Sequence, residues 1–533
     1  MNVCFCYTPF PYNQFMQSRS RTIVALFAVA ALVGGVCFLT MRDNQVEQVV
    51  PQAAPLPTPT SQATLIKLKQ LGARWKRNQH GQVNWLDLKH LPIADDDLVI
   101  LQELPEVRFV HLRAIQRAKG NHFTNAGLRH LLCLKKLEAL DLSANHHLTS
   151  ECFETLKQLK GLKSLNLEYT SFAEADLPEL CQLKSLEILH VPQLPLNGTT
   201  IGYFEQMPLR ELWGISNRNS DYTFQFLPRL THLEKLLFQA DVYVKDTDLV
   251  YLRHLKKIKT LKVVLTKGFR DTSQLKQLQD LRELEYLSLG QKEVFVDSFD
   301  NSGLLALAKL PALKKIEAAR VDDRYLEAIS HCAQLTELDL TGYGNQITPE
   351  GLTCLKNMRS LKSIDLERPL ARHKTFEALG QVPSLERIAL SGWVWRYRGK
   401  SPPPVGNAPL FEMSSLKHLQ QMPHLKELKL DYLDLTDEAL KHIGECKTLE
   451  GLSLINSNIT NAGLLQLRDL AHLKNLDLTG SKIDLEAAYQ LHQFIPDCVI
   501  EDIWFAGGGK MPPFLTDLQE WKTFRRKLHY ELD

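Results

Sequence analysis

The sequence predicts an α/β solenoid, a horseshoe with a parallel sheet on its concave face and helices on its convex face. Two observations carry that prediction. The stretch from Leu137 to Asn145 reads L-x-x-L-x-L-x-x-N, and its centre alternates, with Leu140 and Leu142 on one side and Ala139, Asp141 and Ser143 on the other. The same frame returns at Leu162, Leu186, Leu209, Leu233 and Ile258, at a period of about 24 residues. A fixed period of this size in this leucine frame is the signature of a leucine-rich-repeat solenoid. One strand and one helix cannot bury an apolar face alone, whereas stacked copies build a continuous core.

Composition agrees with a long array. A chain of 533 residues, 44% hydrophobic, would usually split into several globular domains, and a repeat array need not. The formal net charge of +2 gives no global signal for nucleic acid. The cysteines show no C-x-x-C and no disulfide or zinc spacing. Cys332 and Cys446 share one repeat slot, three residues before Leu335 and Leu449, which reads as a small buried packing position.

In chain order, residues 1–21 form an irregular N-terminal segment in which Met16 opens a more ordinary start. Residues 22–41 carry no charge and at helical rise span about 30 Å, enough for a single-pass membrane anchor, with a cleaved signal peptide as the alternative that the length of the run and the lack of an A-x-A site disfavour. Arg19 and Arg21 before it, against Asp43 and Glu47 after it, put the N-terminus in the cytoplasm and the repeats on the extracytoplasmic side. Residues 42–62, with Pro51, Pro55, Pro57 and Pro59, form a semi-extended spacer. Residues 63–505 form the repeat domain. It opens with an amphipathic helix over 63–71 and a hairpin turning near Gly81, which cap the open end of the core. Repeats follow from Val83, Val107, Leu137, Leu162, Leu186, Leu209, Leu233, Ile258, Leu284, Leu313, Leu335, Leu361, Leu385, Leu425, Leu449 and Leu473. Residues 506–533 are a tail in which Leu518, Trp521, Phe524 and Leu528 recur at helical spacing, predicting a C-terminal cap helix.

A second phrase recurs between strands: Phe-Thr-Asn-Ala-Gly-Leu at 123–128, Ile-Thr-Pro-Glu-Gly-Leu at 347–352, Leu-Thr-Asp-Glu-Ala-Leu at 435–440 and Ile-Thr-Asn-Ala-Gly-Leu at 459–464. Its chemistry is a helix start. The hydroxyls of Thr124, Thr348, Thr436 and Thr460 cap free backbone N–H groups, and Pro349 takes the first helical position. Each repeat is therefore expected to be a strand followed by an α-helix.

The I-T-x-x-G-L phrase, the L-x-x-L-x-L strand and the Cys slot resemble the cysteine-containing, ribonuclease-inhibitor-like class of leucine-rich repeats. The opening Leu-Gly-Ala-Arg-Trp-Lys-Arg-Asn is similar to the start of arrays in planctomycete-type bacteria. The resemblance spans roughly residues 63–505, carries no catalytic residues, and implies a concave sheet that binds protein partners. Departures are Gly214 and Ala318 in place of the last strand leucine, and few asparagines at the ninth position.

In L-x-x-L-x-L-x the third, fifth and seventh residues face the concave surface. That frame places Trp85, Phe109, His111, Ile188, His190, Trp213, Ile215 and Leu237 there, with Trp213 beside Ile188 and Leu237 as an exposed apolar anchor. Farther on, Glu317, Glu337, Asp339, Asp365 and Glu367 predict acidic rungs that favour a basic partner, against the alternative that they keep the face soluble. The insertion between Ser391 and His424 holds Trp393, Trp395 and Tyr397 among arginines and is a second candidate binding element, or a loop that folds back on the solenoid.

No H-E-x-x-H, G-x-S-x-G or phosphate loop occurs, so the sequence predicts no enzyme, no catalytic or metal site and no cofactor. His146 and His147 with Glu151 read as a solvated loop pair. The expected function is a membrane-anchored scaffold recognising a protein, not a nucleic acid, through its concave face. Two alternatives stand beside it. A substrate-receptor adaptor of ubiquitin-ligase type would need an F-box-like helical segment where the Pro-rich spacer lies. A structural envelope protein would have no specific ligand.

Overall fold

The computed structural model describes residues 58–501, interrupted at 115–122, 217–223, 239–242, 266–271, 292–301, 368–373 and 393–411 and at shorter breaks, and again Leu528–His529. Helix α1 (Gln62–Gln70) opens it, with the Ser61 side chain accepting from the Thr64 N–H. Strand β1 (Arg74–Arg77) turns at Gly81, whose φ is +74°, and pairs antiparallel with β2 (Val83–Asp87). Helix and hairpin form the expected cap.

From β2 onward every pairing is parallel. The strands are β3 (Phe109–His111), β4 (Ala139–Asp141), β5 (Ser164–Asn166), β6 (Ile188–Pro195), β7 (Glu211–Ser216), β8 (Lys235–Phe238), β9 (Tyr243–Val244) and β10 (Thr260–Leu265). They continue as β11 (Tyr286–Gln291), β12 (Lys315–Ala318), β13 (Glu337–Leu340), β14 (Ser363–Glu367), β15 (Arg387–Ser391), β16 (Glu427–Asp431), β17 (Gly451–Ser453), β18 (Asn475–Asp477) and β19 (Val499–Glu501). Together with β20 (Leu528–His529) they make one 20-stranded sheet. The fold is the α/β leucine-rich-repeat solenoid. Every repeat-opening residue from Val83 to Leu473 is buried, and one apolar cluster runs from Leu65 to Ile500. Cys332 and Cys446 are buried in it, and burial pushes both thiols up to about 12.

The convex side departs from expectation. Asp96–Glu103, Gly127–Cys133, Phe224–Arg229, Thr272–Asp280 and Met413–Gln421 are 3-10 helices, and α-helices such as Phe153–Leu156, Pro349–Leu352 and Asn461–Leu464 last a single turn. A 3-10 helix rises about 2.0 Å per residue against 1.5 Å for an α-helix, so a short linker of this kind spans the convex side with fewer residues. At the far end, Leu528–His529 pairs parallel with β19, so Leu528 lies in an edge strand and not in the predicted helix. The rest of 506–533 lies outside the described residues, as do 1–57 with the candidate anchor. Among the described residues no helix is long and apolar enough to cross a membrane.

Two side-chain devices lock neighbouring repeats. In the first, an aspartate at the third place of the helix-start phrase accepts from the threonine of the next repeat. Asp95 takes the Thr124 N–H at 2.6 Å and its hydroxyl at 2.7 Å, Asp323 takes Thr348 at 2.7 and 2.6 Å, and Asp437 takes Thr460 at 2.7 and 2.6 Å. The glycine of the phrase belongs to the same clasp, because a Cβ on Gly127, Gly351 or Gly463 would overlap the Oδ1 of that aspartate. Only Thr348 caps at the expected third N–H, that of Gly351, while the Thr124 hydroxyl accepts from Ala126. Thr436 and Thr460 make no side-chain cap, so the phrase serves repeat-to-repeat stacking at least as much as helix initiation.

The second device runs along the edge where each strand begins. The column Arg108, Glu138, Lys163, Glu187, Arg210, Glu234, Lys259, Glu285, Lys314, Thr336, Lys362, Glu386, Lys426, Glu450, Lys474 alternates in sign at every place but Thr336. Each backbone N–H in it, from Glu138 on, donates to the carbonyl of the member before, which stacks the side chains at strand spacing. Ion pairs follow at Arg108–Glu138 (2.6 Å), Arg210–Glu234 (2.7 Å), Glu234–Lys259 (2.9 Å), Glu285–Lys314 (2.9 Å), Lys362–Glu386 (2.7 Å) and Glu450–Lys474 (2.5 Å).

Candidate functional site: the concave face

Strand register places two columns of side chains on the concave face. One runs Trp85, Phe109, Ala139, Ser164, Ile188, Glu211, Lys235 and on through Tyr286 and Lys315. The other runs Asp87, His111, Asp141, Asn166, His190, Trp213, Leu237 and on through Glu317, Asp339 and Asp365.

The aromatic residues of the first rungs each carry a cation over the ring. Lys76 Nζ lies 5.1 Å from the centroid of Trp85, Arg108 Cζ 5.7 Å from Phe109, and Lys235 Nζ 5.0 Å from Trp213. Arg113 lies 6.0 Å from Tyr169, a residue held at φ +55° just beyond β5. Such contacts orient both partners and contribute about 0.5–1 kcal/mol each where exposed. Trp85 also meets His111 at 5.5 Å between ring centroids.

Trp213 is the most constrained of them. His190 stacks on it at 4.6 Å with 10° between the planes, its Nε1–H donates to Glu211 at 2.7 Å, and Lys235 pairs with the same carboxylate at 3.1 Å. His190 Nε2 lies 3.7 Å from Glu211. Burial raises the Glu211 carboxyl, but His190 and Lys235 outweigh it and hold it below the ordinary range. The expected exposed apolar anchor is thus corrected. Trp213 and Ile188 are half-buried, and Leu237, between Trp213 and Lys262 in the column, is buried. His190 is buried as well. The pairing bulges at Gly214, which sits at φ +91° and must be glycine because a Cβ there would overlap the Val191 carbonyl. The bulge shifts Ile215 into register with Phe238, one place out of step with the Trp213–Leu237 pairing.

In the second column the acids mostly close their own strands. Asp87 accepts the Lys89 N–H, Asp141 that of Ser143, Asn166 that of Glu168, Asp339 that of Thr341 and Asp477 that of Thr479. His111 Nδ1 lies 3.7 Å from Asp141. Burial would raise the Asp141 carboxyl, yet His111 and Ser143 bring it below the ordinary range. The ninth-position asparagine has a matching task. Asn145 donates to the carbonyls of Leu112 and Leu142, and where it is missing hydroxyls substitute, as Thr170 does toward Leu167.

The acidic rungs are largely neutralised within the sheet. Glu317 pairs with Lys262 at 3.0 Å and accepts from Tyr286, Glu337 pairs with Lys315 at 3.4 Å, and Asp365 pairs with Arg387. Asp339 is raised, first by burial and then by Glu317 and Asp365. The expectation of an acidic surface for a basic partner is replaced by a self-paired polar one. Trp393, Trp395 and Tyr397 lie outside the described residues. Among the described residues no cluster of three metal-ligating side chains forms. His146 and His147 are both exposed, as a solvated loop pair would be, and His147 also bonds through Nε2 to the Phe123 carbonyl of the preceding repeat.

The sequence matches no family model and no curated protein. Several solved structures align with this chain at low identity. An internalin from Listeria monocytogenes aligns over 72% of this chain and 94% of its own at 17% identity and a TM-score of 0.37. A leucine-rich-repeat protein of Leptospira interrogans aligns over 70% and 91% at 20% identity and 0.35, and a mouse RP105/MD-1 complex over 78% and 85% at 14% identity and 0.36.

Proposed function

We propose that this chain is a recognition scaffold that binds a protein partner, not a nucleic acid, on the N-terminal half of its concave face. The observation that carries the reading is the run of cation-covered aromatic side chains at Trp85, Phe109, Tyr169 and Trp213, rigid amphipathic groups of the kind that dominate interface energies. The chain is a binding protein and not an enzyme in this reading, held at a membrane by residues 22–41 with its repeats extracytoplasmic. The Cys slot and helix-start phrase support the ribonuclease-inhibitor-like class.

The test is affinity capture with the full chain in detergent, comparing wild type with a Phe109→Ala, Trp213→Ala double variant whose circular dichroism is unchanged. A protein retained by wild type and lost by the variant supports the site. Equal retention rejects it. Extraction of the chain from membranes by carbonate alone, without detergent, would reject the anchor.

A further inference from the structure

The break in the charge column at Thr336 points to a ligand. Inside the column, cations have acids on both flanks: Arg210 lies 3.5 Å from Glu187 and 2.7 Å from Glu234. Lys314 and Lys362 have them on one flank each, Glu285 and Glu386, and between these lysines stands the neutral Thr336. The backbone is continuous there, since the Thr336 N–H donates to Lys314 and its carbonyl accepts from Lys362, both at 2.8 Å. The column therefore passes through Thr336 in register with an anion missing from its place. Both lysines are well exposed, at 60% and 59%. Two strand steps separate them by about 10 Å, a gap that two lysine side chains close around one carboxylate. The Thr336 hydroxyl reaches the Lys314 carbonyl at 3.3 Å, a long bond that an incoming acceptor can replace. The acid next to Thr336 in sequence, Glu337, is already engaged by Lys315 at 3.4 Å.

We infer that the rung at Thr336 receives a glutamate or aspartate side chain of the protein partner, which completes the alternating column between Lys314 and Lys362. The inference rests on the reading of this chain as a protein-recognition scaffold, and it adds a second contact well removed from the aromatic rungs. The occupant is a carboxylate because the anionic places of the column are all carboxylates and because the strand edge offers it two exposed ammonium groups at the spacing those carboxylates bridge.

The experiment uses the full chain in detergent at low salt with a fluorescein-labelled deca-glutamate peptide, read by anisotropy. Wild type is expected to bind, with Thr336→Glu weakening the affinity at least tenfold because the intramolecular acid occupies the place. Lys362→Gln is expected to weaken it as well, and Thr336→Gln to leave it within twofold. In parallel, Thr336→Glu should raise the melting temperature, since the acid bridges both lysines. Unchanged peptide affinity in Thr336→Glu overturns the inference, whatever the melting temperature does. Full competition by inorganic phosphate at equal charge concentration also overturns it, in favour of a simple anion site. Neither result touches the aromatic rungs, whose capture assay succeeds or fails by itself.

Discussion

Single residues in this protein are constrained by the repeat next door more than by their own. Gly463 shows this most directly, because the space its Cβ would need is filled by Asp437 of the preceding repeat. Gly463→Ala should destabilise the chain by about 1–3 kcal/mol, the usual cost of overpacking. Asp437→Ala in the same background should recover part of that loss, as read from urea midpoints; full additivity of the two would contradict the clasp. Glu234 gives a second test. The hydrogen bond from Arg210, aided by Lys259 against partial burial, holds its carboxyl down to about 2 from an ordinary 4.5. A depressed carboxyl stabilises the fold above its unfolded value and loses that contribution as pH falls toward the folded one. Wild type should therefore be more stable than Glu234→Gln at pH 6, with the difference shrinking between pH 4.5 and 2. Glu386 and Glu450 are lowered by Lys362 and Lys474 and add in the same direction. The sequence displayed the threonine and glycine of the clasp but suggested a cap, since the aspartate that engages them lies about 25 residues earlier and nothing local marks the pair.

At the level of strands and connections, periodicity was the readable signal. A leucine every few residues is a demand of the core, and it placed every repeat start correctly. The convex segments were harder, because a threonine-led helix start serves α and 3-10 geometry equally and the choice depends on how much length must be spanned. Concave exposure was harder still. Alternation placed Trp213 and Leu237 on the right face, but alternation contains nothing about neighbours, and a tryptophan stacked on His190 is no longer a free apolar surface. The bulge at Gly214 was visible as a missing leucine, with its consequence for Ile215 hidden in the pairing. The alternating column was present in the sequence and needed only the frame to be read at its second position. It makes a prediction about whole repeats. Deleting 449–472 sets Lys426 against Lys474, whereas deleting 425–472 sets Glu386 against Lys474. The shorter deletion should be the less stable of the two, and Lys474→Glu should partly restore it; equal melting temperatures would mean that the column contributes nothing to stacking.

As a whole molecule the solenoid is a line of nearest-neighbour contacts, with stability distributed along it. Its thiols report that distribution. Burial pushes Cys152, Cys332 and Cys446 each up to about 12, and they sit at three stations along the array. Iodoacetamide at pH 8 should leave all three unlabelled in the native state, and labelling in a urea series, mapped by mass spectrometry, should give the order in which the stations open. Simultaneous labelling would show one cooperative unit instead. The sheet has a further consequence for partners. Five strand steps separate the Trp213 rung from the Thr336 rung, along β7, β8, β10, β11, β12 and β13. At strand spacing that is about 24 Å of arc held by backbone hydrogen bonds, so on the proposed reading the two stations would act as the prongs of a gauge. A partner carrying both an aromatic-binding patch and an acid at that separation gains the second attachment as an intramolecular event, and one with the wrong separation gains nothing from it. Selectivity then resides in a length, set by how many repeats lie between two modest contacts.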